Sequence, residues 1–158
     1  MKAAVRLLEL LSNRFGLSPQ ESHLSRLAAV LEALSNKRKT QPELLVTFAQ
    51  SNPDLLREIA GHVTVGESYF YRHPEHLSIL VEALKLRIRK QYSYSPITIW
   101  SAGCADGQEP YSIAIACQEQ LTNDERARVR IIATDLNPEA IARAKQGHYY
   151  EWSFRGLS

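Results

Sequence analysis

The sequence predicts an α/β protein in which a small amino-terminal helical domain precedes a β–α–β–α unit of the nucleotide-binding kind. Three observations carry this. Apolar residues recur at helical spacing to about residue 62. The strand-like run Ile97-Thr-Ile-Trp-Ser-Ala102 then enters a turn with Gly103 and Gly107, followed by a helix starting near Pro110. About thirty residues later, Val129-Arg-Ile-Ile-Ala-Thr-Asp135 is a second apolar run and ends in an acid.

The helical elements follow in order. Residues 3–14 carry apolar side chains at 4, 5, 7, 8, 10 and 11, and Gly16 supplies the stop. Ser18-Pro19-Gln20-Glu21 reads as a capping box opening a second helix through Leu24, Leu27, Leu31 and Leu34. Gln41-Pro42 opens a third helix through Phe48, and Asn52-Pro53 a fourth through Ile59. Helices this short need mutual packing of their apolar faces, so a small bundle is expected.

The segment Val63 to Arg72 breaks the pattern, and its last six residues hold three aromatics, an acid, a hydroxyl and an arginine. A further helix runs from Pro74 to about Lys90, and Tyr92-Ser-Tyr-Ser-Pro96 turns into the first strand, 97–101. Then come a helix over 109–121, a polar loop over 122–127 and a strand over 129–134. Asn137 and Pro138 suit a helix start and Gly147 its stop, while His148 to Ser158 is aromatic without a period. The expected domains are 1–72, helical domain and linker, and 73–158, a partial Rossmann-like domain. Two strands fall short of an ordinary sheet, so a truncated chain is expected in preference to one completed by another chain.

Composition excludes several classes. Of 158 residues, 44% are hydrophobic and 23% charged, near the globular average, with a net charge of +2. That excess is too small to indicate nucleic acid. The run Lys85-Leu-Arg-Ile-Arg-Lys90 alternates charged with apolar residues and reads as a solvated helix face. Cys104 and Cys117 make neither a disulfide framework nor a zinc site, and the five histidines show no ligand spacing, so no metal is expected. Cys104 reads as a small apolar filler of the turn. His73 and His76 flank Arg72, where one could line a substrate entry. No apolar run reaches the roughly 20 residues that span a membrane. Without a cleavable signal pattern, the cytoplasm is the expected compartment.

The turn narrows the choice of ligand. It lacks the Gly-x-Gly-x-x-Gly spacing suited to a pyrophosphate. Asp106, Gln108 and Glu109 occupy the space where two phosphates would sit, and carboxylates there would repel them. They suit a cationic amine or sulfonium. Asp135, at the end of the next strand, is placed to accept both hydroxyls of a ribose. S-adenosylmethionine combines ribose, ammonium and sulfonium and fits better than a dinucleotide. The competing reading is that Asp106 and Glu109 only complement the positive end of the helix.

Four blocks then carry a resemblance: Glu67-Ser-Tyr-Phe-Tyr-Arg72, Trp100-Ser-Ala-Gly-Cys-Ala-Asp-Gly-Gln-Glu-Pro-Tyr-Ser-Ile-Ala114, Ala133-Thr-Asp-Leu-Asn137 and Ala142-Arg-Ala-Lys-Gln-Gly-His-Tyr149. In that order they resemble the CheR-type chemoreceptor glutamate methyltransferases, collinearly from about residue 57 onward. The resemblance implies a helical domain followed by the first half of a Rossmann-like, S-adenosylmethionine-dependent methyltransferase domain. It implies methyl transfer to glutamates on the cytoplasmic helices of methyl-accepting chemoreceptors, with S-adenosylhomocysteine as product. By the same resemblance Arg72 lies near the transferred methyl and is the catalytic residue. Ser68, Arg72, Gly103, Glu109 and Asp135 bind the cofactor, Glu109 at its methionine end and Asp135 at its ribose. Tyr69, Phe70 and Tyr71 either pack on the adenosyl face or wedge the two domains together.

The chain departs from the family pattern at several places. Ala105-Asp-Gly-Gln-Glu109 stands where many relatives have Ser-Thr-Gly-Glu-Glu, and Gly66 where some have Asn. The basic second helix that many relatives use against receptors is poorly matched over 20–40. The adenine-framing Asn-Leu segment, a later Arg-Asn strand end and the β-subdomain of some members are expected beyond Ser158. Two other classes stand beside the enzyme. One is a catalytically idle cofactor-binding or receptor-docking module. The other has a different cofactor and a small-molecule or nucleic-acid substrate.

Overall fold

Apolar spacing produces the amino-terminal helices. In the computed structural model, which describes residues 1–17, 21–64, 66–90 and 95–157 (backbone alone at 21–23), α1 spans Lys2–Phe15 and buries Ala3, Ala4, Leu7, Leu8 and Leu11. Gly16 ends it in the left-handed region, φ 69°, and its N–H donates to Ser12 O. The capping box expected at Ser18 lies outside the described residues. Helices α2 (Glu21–Arg38), α3 (Pro42–Ser51) and α4 (Pro53–Val63) follow. Asn52 caps α4, its side-chain oxygen accepting from Asp54 N and Leu55 N. Leu7, Leu11, Leu27, Leu45 and Ile59 are fully buried in one core. Each contributes about 1.5–3 kcal/mol through burial. This core is the expected helical bundle.

A second core builds the α/β portion. Helix α5 (Pro74–Lys90) buries Leu77, Val81, Leu84 and Ile88. These pack with Ile113, Ala116, Cys117 and Leu121 of the Gln108–Gln120 helix (α6) and its C-cap, and with Ile97 and Ile99 of β1 (Ile97–Ala102). Leu86, Arg87, Arg89 and Lys90 face solvent, as the solvated-face reading of that run requires. β1 pairs in parallel with β2 (Val129–Thr134), Ile97 against Val129 through Ala102 against Thr134. The sheet's other face leaves Trp100 69% and Ile132 38% exposed.

The connection read as a polar loop contains a helical turn, α7 (Asn123–Arg126). Its capping box, Thr122 with Glu125, satisfies the amides of those two residues reciprocally. Helix α8 (Pro138–Gln146) follows β2, and Gly147, φ 64°, stops it with its N–H on Arg143 O. The aromatic tail holds a 3-10 turn over Glu151–Phe154.

The chain divides into two units, Met1–Val65 with Leu136–Pro138, and Gly66–Asp135 with Glu139–Ser158. The division falls at 65/66 rather than the expected 72/73. The physical reason is that 66–72 has partners in the second unit. Phe70 N donates to Ser153 O (2.8 Å) and Tyr71 N to Ser112 Oγ (3.0 Å). Leu136 packs on the helical core, and Asn137 Nδ2 donates to Gly61 O (3.1 Å). Among the described residues no helix is long and apolar enough to cross a membrane.

Candidate functional site

The β1–α6 turn is built from the end of its partner strand. Thr134 O accepts from both Gly103 N (2.8 Å) and Cys104 N (2.9 Å), which ties the turn to β2. Three of its residues take positive φ: Gly103 (74°), Ala105 (47°) and Gly107 (96°). For Ala105 this conformation costs on the order of 1 kcal/mol or more. Asp135 helps to hold it, Oδ2 accepting from Ala105 N at 2.8 Å. Cys104 is buried as expected, and burial followed by the nearby Asp135 carboxylate pushes its thiol pKa up. Both effects disfavour the thiolate form.

The two glycines do different work. A Cβ on Gly107 would stand 2.9 Å from both Ala144 Cβ and Tyr149 Oη, whereas one on Gly103 would meet nothing within 4 Å. Gly107 lets α6 approach α8; Gly103 leaves open space at the strand end. Gly107→Ala is expected to cost about 3 kcal/mol in a denaturant titration, combining overpacking and backbone strain. Gly103→Ala should cost only about 1 kcal/mol, the strain alone.

The acids of the turn separate into two kinds. Asp106, counted in the sequence among carboxylates for a cationic ligand, is committed elsewhere: Arg143 pairs with its Oδ1 at 2.9 Å. Its carbonyl accepts from Tyr149 Oη at 2.7 Å. It therefore joins turn to α8, and Gln108 is buried. Glu109 is exposed, its Oε1 accepting from the buried Ser101 Oγ at 2.6 Å. Ser101 escaped the sequence reading, although a strand–turn–helix unit sets the last strand side chains against the first helical turn.

Tyr149 carries a pH signature. Burial, followed by the neighbouring Tyr111, pushes its phenol pKa up to about 12. The unfolded phenol titrates near pH ~10. A pKa raised on folding means stability intact below about pH 10 and lost as pH climbs toward 12. Tyr149→Phe should flatten that decline in denaturation midpoints measured from about pH 9 to 11.

The Gly66–Arg72 loop supplies the other wall. Tyr71 sits at φ 54°, and its N–H meets Ser112, whose hydroxyl donates in turn to Gln108 O at 2.7 Å. Arg72 is exposed, Nη1 donating to Glu67 O at 3.0 Å. The three aromatics diverge within this unit. Phe70 is buried against Phe154 (centroids 4.9 Å), Tyr71 reaches Glu119 (3.2 Å), and only Tyr69 lines the space beside β1.

That space is a cavity of about 550 Å³, and Ser68, Arg72, Gly103 and Glu109 all line it. Its volume falls in the range of about 300–1,000 Å³ typical of small-ligand sites. Trp100 lines it too, its Nε1 donating to Thr134 Oγ1 at 2.9 Å, as do His73 and His76, rings stacked 5.0 Å apart. Asp135 is not on that wall; it stands at the end of β2, bonded to the turn. The cavity is thus bipolar, with Glu109 as its acid and the Arg72 guanidinium its permanent cation, while the Glu67 carboxylate is paired with Arg155 at 3.3 Å. A cationic ligand on the acidic side and a carboxylate beside Arg72 would both find complementary charge. A groove of about 360 Å³ between α6, β2 and α8 is mostly apolar and contains none of Ser68, Arg72, Gly103, Glu109 and Asp135. Among the described residues no group of three or more His, Cys, Asp or Glu could hold a metal ion.

Residues 66–158 match the family described as CheR methyltransferase, SAM binding domain, where SAM is S-adenosylmethionine. A chemotaxis protein methyltransferase of Borreliella burgdorferi is 29% identical over 92% of this chain and 54% of its own length. The probable chemotaxis protein methyltransferase of Rhizobium etli is 34% identical over 65% of this chain and 38% of its own. Chemotaxis protein methyltransferase 1 of Pseudomonas aeruginosa is 34% identical over 72% and 43%, respectively. The chain spans about half the length, or less, of these relatives.

Proposed function

Since the chain belongs to the CheR methyltransferase family, we propose that it binds S-adenosylmethionine at the Gly103 turn and serves methyl transfer to glutamate side chains of chemoreceptor-like signalling proteins in the cytoplasm. The observation that carries this reading is the convergence of Ser68, Arg72, Gly103 and Glu109 on one bipolar cavity.

The residues present fit the cofactor. The space beside Gly103 admits a ligand against the backbone. Glu109, oriented by Ser101, is the partner for an α-ammonium. Asp135 is the acceptor for ribose hydroxyls, and Ser68 adds a hydroxyl contact from the opposite loop. When bound, S-adenosylmethionine supplies a methyl group on a sulfonium. The chain's own task is to bind and orient. A glutamate acceptor is ionised at pH 7, so no residue need act as a base. Arg72 grips one carboxylate oxygen and turns the other toward the donor. The product side is S-adenosylhomocysteine and a γ-glutamyl methyl ester.

Calorimetric titration with S-adenosylhomocysteine, beside a tritiated-methyl assay on a receptor cytoplasmic fragment, tests the proposal. Saturable binding with ester formation supports it, and no binding overturns it. Binding without transfer would select the second reading, a cofactor-binding or receptor-docking module.

A further inference from the structure

The loop that carries Ser68 and Arg72 has no helix or strand of its own over 66–69. Its geometry must come from tertiary partners, and beside Ser112 and Glu119 of α6, which hold Tyr71, those partners lie in the aromatic tail. Phe70 N donates to Ser153 O, and the Phe70 ring stacks on Phe154 and meets Tyr149 edge-on at 4.8 Å. A Cβ on Gly156 would stand 2.7 Å from Phe70 O and 2.9 Å from the Tyr69 ring, so tail and loop pass in direct contact. One side chain ties these together. The Arg155 guanidinium lies 4.1 Å from the Tyr69 centroid and 4.5 Å from that of Trp152. Its Nη1 donates to Trp152 O (2.8 Å) and its Nη2 reaches Glu67 Oε1 (3.3 Å).

We infer that Arg155 is a positioning residue of the donor site, clasping the Glu67–Tyr69 wall so that Ser68 and Arg72 face the cavity before a ligand arrives. This rests on the reading above for the ligand, but not for the clasp. The planar guanidinium fills a slot between two rings while its edge meets a carboxylate. An ammonium cannot do both. The link continues to Arg72, because Glu67, held through its carboxylate by Arg155, offers its carbonyl to Arg72 Nη1. Loosening the loop would lower the fraction of molecules ready to bind, and apparent affinity falls by that fraction.

The test uses the whole chain with Arg155→Ala and Arg155→Lys. In hydrogen exchange, Arg155→Ala should speed the amides of Tyr69–Arg72 about tenfold (1.4 kcal/mol) while β1 amides keep their rates. Lysine should restore less than half of the lost protection. Unchanged loop exchange, or equal acceleration in loop and strand, overturns the clasp whether or not any ligand binds. For the ligand, Arg155→Ala should weaken S-adenosylhomocysteine about tenfold in wild type but much less in a Ser68→Ala background. Equal losses in both backgrounds would reduce Arg155 to a general structural role and overturn the positioning claim. Failure of the unaltered chain to bind would sink the functional reading, with the exchange result still deciding the clasp.

Discussion

Replacing Arg72 with alanine should lower methyl transfer by about two orders of magnitude and change S-adenosylhomocysteine affinity by less than about threefold. The proposed reaction joins a sulfonium and a carboxylate and neutralises both, so an arginine that only stabilised the carboxylate would favour the ground state. Arg72 can therefore help only by geometry, holding one oxygen so that the other lies in line with the methyl group. Misplacement by about 1 Å is enough to cost ~100-fold. The structure supports a positional role: the side chain is exposed at the cavity, and its Nη1 is steadied on Glu67 O. Arg72→Lys should then recover little activity, because it returns the charge without the two-pronged donor. Equal losses of turnover and cofactor affinity in Arg72→Ala would refute the assignment.

Much of this site was legible in the sequence because its parts are local. A strand, a glycine turn and a capped helix are each written in consecutive residues, and their order places Gly103, Glu109 and Asp135 near one strand end. The helical elements were equally plain, since Gly16, Asn52 and Gly147 punctuate them through their own backbone and side-chain chemistry. What was not legible depends on distant partners. Asp106 reads as a ligand for a cation because Arg143, which neutralises it, comes 37 residues later in the chain. The boundary expected after the linker at residue 72 falls before residue 66, because the anchors of the 66–72 loop, Ser112, Ser153 and Arg155, come far later in the chain. The aromatic tail showed no period because its rings pack as a cluster instead of along one face.

Asp135 offers the sharpest separation between holding the turn and holding a ligand. Its Oδ2 accepts from Ala105 N, the amide of a residue strained at φ 47°. Asp135→Ala removes that acceptor and any grip on a ribose together. It should cost about 1–2 kcal/mol of stability, for an amide left without its partner. It should also weaken S-adenosylhomocysteine about 100-fold, the scale of two charge-assisted hydrogen bonds. Asp135→Asn distinguishes the two roles. Its amide oxygen can still receive Ala105 N, so stability should stay within about 0.5 kcal/mol of wild type. Its NH2 group replaces an acceptor with a donor, and neutrality removes the charge assistance, so affinity should still fall about tenfold or more. Denaturant titration and calorimetry on the same three proteins read the two effects separately. An asparagine variant that binds as tightly as wild type would reduce Asp135 to a fastener of the turn. The acidic side of the site would then consist of Glu109.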